Sequence, residues 1–246
     1  DGVACRPLTF LQEVNRAVAR AGGDPRRLGR ARSTTPRTGR FNARGRGAKL
    51  ASSFPREHDW SLTEGGMRFR ARRVVVKARV VKLRGTGSKA ALAHLRYLQR
   101  DGATLDGERG RLYSAFQDEA DGATFLDRGE DDRHQFRLIV APEDGPELGD
   151  LRGVTRRLMA QMERDLETQL DWVAVDHHNT GHPHSHIVVR GVTDDGKTLN
   201  IAGDYIAHGI RHRAAEIVTL ELGMQSEWEV QRTLGREVEQ DRFTRL

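Results

Sequence analysis

The 246 residues carry 41 Lys and Arg against 35 Asp and Glu, a formal net charge of +6, a sequence pI near 10.0 and a single cysteine, Cys5. That cysteine count excludes an intramolecular disulfide and a cysteine-built zinc knuckle, so a reducing compartment is the default. No apolar run approaches membrane-spanning length and no secretory-type apolar core stands near the first residue, so we expect a cytoplasmic protein that inserts in no membrane and is drawn to a polyanion.

In chain order, residues 8–21 have apolar positions at helical spacing and predict a short amphipathic helix. Residues 26–49 hold nine cations and no acid among Gly, Ser, Thr and Pro, the composition of a flexible arm that meets phosphates without reading sequence. We expect the arm to run over residues 1–71 and one globular domain over 72–246. The β-branched run Val74–Leu83 predicts a long strand, and Ser88 is placed to cap a helix through Ala90, Leu92, Ala93, Leu95 and Leu98 toward Gly102. A strand at Arg111–Phe116, an acidic loop to Asp132 and a strand at Gln135–Ala141 follow. Leu151–Leu170 has helical periodicity in Val154, Leu158, Met162 and Leu166. Asp204 is the expected cap of a last long helix, Tyr205–Leu222, with Gly223 as its stop, and Glu227–Leu246 reads as a charged, helix-prone lid or arm. No internal repeat is visible. Single helices interleaved with strands predict an α+β sandwich with helices on one sheet face and the other face left for a site.

The chemical centre is Val173–Arg190, which holds five of the ten histidines between two apolar runs. Strand alternation puts His184 and His186 on one face. A turn through Asn179, Thr180 and Gly181 folds His177 back beside them. Three neutral imidazoles then converge on a metal, with further positions left for substrate oxygens and water. His178 and His182 are supporting candidates or loop residues. A histidine-held metal on an open sheet face of a basic protein suggests phosphoryl chemistry, which leaves a nucleophile to find. Of three tyrosines, Tyr97 lies in Ala93-His-Leu-Arg-Tyr-Leu-Gln-Arg-Asp-Gly102, between Arg96 and Arg100, where cations favour phenolate.

The run His177-His-Asn-Thr-Gly-His-Pro-His-Ser-His-Ile-Val-Val189 resembles the third motif of the HUH endonuclease relaxases, and within them the P class that includes the Ti-plasmid border endonuclease. The helix ending Arg96-Tyr-Leu-Gln-Arg-Asp-Gly102 resembles their first motif, and Asp132–Asp144 is similar to the middle motif of a subgroup; the likeness spans roughly residues 72–245. The resemblance implies an α+β, HUH endonuclease-like central antiparallel sheet with helices and the metal site on its open face. It implies Tyr97 as nucleophile, His177, His184 and His186 as ligands of Mg²⁺ or Mn²⁺, and His134 near the scissile phosphate or the tyrosine.

One departure stands out: many P-class relatives have an acid where this chain has Asn179, and an amide accepts no proton from a phenol. The base candidates are therefore His134, His178 and Asp176. Phosphate contacts are expected from Arg96 and Arg100, from Arg190 after the histidine strand, and from Arg37, Arg40, Arg44 and Arg46 of the arm. The implied function is relaxase nicking of single-stranded DNA at a transfer origin, giving a 5′-phosphotyrosyl product for conjugative transfer. The implied partners are a coupling protein and a type IV secretion channel, with export alongside the DNA into recipient cells. The charged end without a helix stop suggests the first part of a longer mobilisation protein. Two alternatives stand beside this reading: a rolling-circle replication initiator of the same superfamily, and a noncatalytic single-strand binding module.

Overall fold

The computed structural model describes residues 49–50, 53–54, 61–64, 67–83, 87–99, 109–178 and 182–232, all within one compact unit. The helix expected at residues 8–21, Arg37, Arg40, Arg44, Arg46 and Arg100, and the turn that begins at Asn179 lie outside the described residues.

The described elements in chain order are β1 (Ser61–Glu64), β2 (Met67–Arg70), β3 (Val74–Lys82), α1 (Gly87–Leu98), α2 (Gly122–Arg128), β4 (His134–Pro142), α3 (Leu151–Leu166), β5 (Trp172–His177), β6 (His184–Arg190), α4 (Ile210–Leu222) and β7 (Gln225–Ser226). Four of the strands form an antiparallel sheet in the order β3-β4-β6-β5. Alternation along each strand sends Val74, Val76, Phe136, Leu138, Val140, Trp172, Ala174, Ile187 and Val189 to one face. There they meet Val154, Leu158 and Met162 of α3 and Ile210, Ala214 and Val218 of α4 in the larger core. The opposite face carries Val173, Val175 and Val188, covered by Leu95 and Leu98 of α1 and Phe125 of α2. Helices therefore lie on both faces. Among the described residues the helices cover this face chiefly over β5 and β6 and reach Gln135 of β4, whereas on β3 Val75, Lys77 and Arg79 stand at the surface.

Several expectations change in the fold. Arg111–Phe116 is not a regular strand: Tyr113 alone makes an isolated bridge to Ala174 on the outer edge of β5, and Ser114 already turns back to Gln117. The acidic stretch before Asp132 contains α2, because Asp121 accepts hydrogen bonds from the Ala123 and Thr124 amides as an N-cap. α3 stops at Leu166, where Glu167 adopts the left-handed conformation with φ 52°. Asp204 caps nothing, its backbone being helical without a side-chain bond, and the last helix opens with a π-helical turn, Tyr205–Gly209, before α4 ends at Gly223 as expected. The expected arm to residue 71 includes folded chain. β1 and β2 pair, β2 pairs with β7, Phe54 is buried in the larger core, and buried Arg72 meets Asp144 and the Leu222 and Gly223 carbonyls. Cross-strand pairing supplied from far along the chain overrides the low local propensity of residues 61–70. Among the described residues no helix is long and apolar enough to cross a membrane.

Candidate metal centre

His184 and His186 stand two residues apart on β6, on the face that α1 and α2 partly cover, and His177 is the direct cross-strand partner of His184. One ring nitrogen from each of the three lies within 4.8 Å of the other two. Ring centroids are 5.4 Å apart for His177 and His184, 4.5 Å for His177 and His186, and 4.9 Å for His184 and His186. Bonds of about 2.1 Å to one cation would set cis nitrogens about 3 Å apart, so small ring rotations would complete the site.

Two backbone carbonyls fix which nitrogen is offered. His177 Nε2 lies 2.7 Å from the Leu98 carbonyl, and since a carbonyl only accepts, the ring donates there and keeps its lone pair on Nδ1. His184 Nδ1 lies 2.9 Å from the His182 carbonyl, which leaves the lone pair on Nε2. Such outer bonds orient ligand imidazoles and raise their basicity. The donor set is three neutral nitrogens without a carboxylate, which suits a borderline transition ion better than a hard one such as Mg²⁺.

The Leu98 bond also places α1. Ala91, Leu95 and Leu98 form its buried stripe against the sheet, and the residue before the carbonyl that holds His177 is Tyr97, which is 58 % exposed. The other two tyrosines are wholly buried and donate to carboxylates: Tyr113 to Asp176 at 2.6 Å and Tyr205 to Asp165 at 2.8 Å. Burial, and then the neighbouring carboxylate, raises both phenol pKa values. Arg96, beside Tyr97, is exposed.

Of the other site residues expected from sequence, several are placed elsewhere. Asp176 projects from the opposite sheet face, where it accepts from Tyr113 and from Ser185 Oγ at 2.6 Å, so it is a structural acceptor and not a base beside the histidines. His134 also projects from that opposite face, stacked edge-on to Phe136, and sits at the far end of β4, where its Nε2 donates to the Leu199 carbonyl at 3.0 Å. Both displacements follow from strand parity, which a one-residue offset reverses. Arg190 is held by Asp132 at 2.9 Å through two nitrogens and by Asp171 at 3.1 Å, so its guanidinium is neutralised within the fold. His178 follows His177 directly and is half-buried, and His182 is exposed. Asn179 and Arg100 are outside the described residues.

Residues not singled out from sequence border the triad. The register sets Ile139 beside His186 and Lys77 beside Ile139, and in the next row it sets Arg137 beside Val188 and Arg79 beside Arg137. His94, on α1, is pushed down to about 4 by burial and by Arg137, so it is neutral at pH 7. The alternation Lys77-Ala78-Arg79 and Arg137-Leu138-Ile139 was the available signal, but only pairing across 58 residues of sequence reveals the juxtaposition.

Residues 108–218 match the family model described as Relaxase: MobA/VirD2-like, nuclease domain. The match contains all three histidines and begins after Tyr97. No curated protein and no solved structure matches the chain. The matched segment, carrying the histidine cluster on an antiparallel sheet of an α+β fold, is similar to a MobA/VirD2-like relaxase nuclease domain and supports a relaxase-family assignment.

Proposed function

We propose that the chain nicks single-stranded DNA at a transfer origin by transesterification through Tyr97. The observation that carries this reading is that Tyr97 is the exposed phenol of the three and adjoins the carbonyl that orients His177, while Tyr113 and Tyr205 are buried donors to carboxylates. In the step, Tyr97 Oη forms a bond to phosphorus as the bond to the 3′ oxygen breaks. The phenol proton leaves to a base, and the 3′ oxygen takes up a proton to become a hydroxyl. The product is a 5′-phosphotyrosine that conserves the diester's energy for rejoining.

His177, His184 and His186 would hold the divalent ion, which when bound neutralises charge building on the nonbridging phosphate oxygens. Their all-imidazole set favours Mn²⁺ over Mg²⁺. His178, the residue after His177, is the base candidate we favour. Conjugative transfer, a coupling protein and a type IV secretion channel are the setting that this chemistry serves in relaxases.

The test is incubation of the protein with pooled single-stranded origin oligonucleotides and Mn²⁺, followed by denaturing electrophoresis and mass spectrometry. Wild type should give a denaturant-stable adduct on Tyr97, and Tyr97→Phe should bind DNA without forming one. An adduct of undiminished yield in that variant would refute the assignment. Cutting of a replication origin alone would favour a rolling-circle initiator, and binding with no adduct would favour a noncatalytic module.

A further inference from the structure

Buried or half-buried arginines in this fold are mostly neutralised in place. Arg72 meets Asp144, Arg213 meets Asp165 and Glu216, and Arg190 meets Asp132 and Asp171. Half-buried Arg137, opposite exposed Arg79, is different. The two are direct cross-strand partners on β3 and β4, on the histidine face, and among the described residues neither forms an ion pair with a carboxylate. Like charges directly opposed across an antiparallel pair are destabilising. Burial and the repulsion of Arg79 accordingly lower the Arg137 pKa.

Arg137 is nevertheless held in one orientation. Gln135, buried two residues earlier on β4, has its carboxamide oxygen 2.7 Å from Arg137 Nε and 2.6 Å from Nη2 in the orientation that satisfies both groups. A planar fork steered by a neutral acceptor keeps its remaining N–H groups for a second, anionic acceptor. Nearby His94 is neutral and adds no competing charge. Exposed Lys77 lies two residues before Arg79 on the same face, and its partner Ile139 is itself the partner of His186. Strand geometry puts the Arg137 Cα about 8 Å from that of His186, one residue pair along the sheet from the triad.

We infer that Arg137 and Arg79, with Lys77 at the rim, form a phosphate site that holds the backbone phosphate neighbouring the one brought to the histidines. The anion supplies the charge that the fold withholds from this row, and the row sets the direction in which a single strand crosses the open half of the face. The identity of the polyanion rests on the proposed function, whereas the binding itself does not require nicking.

The probe is fluorescein-labelled oligothymidylate, titrated by anisotropy against the full chain over a salt series, with wild type, Arg137→Gln, Arg79→Gln and Lys77→Gln compared and each melted in parallel. Each arginine variant should bind about 10-fold more weakly at low salt. Each should also lower the slope of log affinity against log salt by about 0.7 for the lost contact. The melting temperature should hold or rise, since repulsion is relieved. A folded Arg137→Gln with wild-type affinity and slope would overturn the site, as would a lowered melting temperature with an unchanged slope, which marks a structural role. Should the arginine variants fail to fold, exposed Lys77→Gln decides: an unchanged slope there refutes the proposal and a lowered slope supports it. Loss of the nicking reading through the Tyr97→Phe adduct assay would leave these binding results standing, so the two failures are distinguishable.

Discussion

Replacing Tyr113 by Phe separates structural tyrosine from chemical tyrosine. The phenol is fully buried, and its hydroxyl donates at 2.6 Å to Asp176, which also accepts from Ser185, itself held by Thr155 at 2.8 Å. The ring contacts survive the change: an edge-on packing with Trp172 at 6.1 Å and the Arg152 guanidinium at 4.8 Å need no hydroxyl. What is lost is one buried bond to a carboxylate, worth about 1.5–3 kcal/mol, and we expect a loss of about 2 kcal/mol. For a chain of this size that is a fall of roughly 4–8 °C in melting temperature. Burial and Asp176 raise the Tyr113 pKa in the folded state. Its contribution is therefore complete below the unfolded value of about 10 and declines as pH rises past it, so the wild-type advantage should narrow above about pH 10. The assay is urea or thermal unfolding of both proteins across pH, beside the covalent-adduct assay at a temperature where both are folded. Destabilisation below about 0.5 kcal/mol would mean that the buried bond is not made. Loss of the adduct in a folded Tyr113→Phe protein would move the chemistry away from Tyr97.

Three further outcomes are expected. Asp176→Asn should lower stability by roughly 1–2 kcal/mol, because two hydroxyls lose a charged acceptor, yet leave nicking of a saturating oligonucleotide intact in the folded protein; a large drop in rate would restore Asp176 as a base. His184→Ala and His186→Ala should each weaken Mn²⁺ binding at least ~10²-fold by calorimetry, whereas His182→Ala should do little because its backbone carbonyl, not its ring, orients His184; equal affinity in all three would refute the ligand set. Deleting residues 1–48 removes Arg37, Arg40, Arg44 and Arg46 but keeps Leu50 and Phe54 of the core, so affinity for all single strands should fall alike, with the salt slope reduced by about 0.7 per lost contact and saturated nicking retained; an unchanged slope would deny the arm its phosphate contacts.

What local periodicity encodes was legible in the chain itself. The β-branched run Val74–Leu83 and the apolar run Gln135–Ala141 gave strands that the fold has at Val74–Lys82 and His134–Pro142, and two-residue spacing put His184 and His186 on one face, because both properties depend on neighbours a few residues away. α2 is not legible in the sequence because an acidic, glycine-containing stretch has weak apolar periodicity and its cap, Asp121, is one acid among several. Which acceptor each tyrosine meets, which face Asp176 and His134 point to, and which arginines remain without carboxylates depend on pairings between residues far apart in sequence. Tyr113 reaches Asp176 over 63 residues, His177 reaches Leu98 over 79, and Arg79 meets Arg137 only through the register of β3 with β4. Register is set by the burial of a whole strand face at once, since a one-residue slip would turn Phe136, Leu138 and Val140 out of the core. The sequence by itself thus determined which three histidines converge and which tyrosine is the nucleophile candidate, and the tertiary structure alone decided which polar groups share their face.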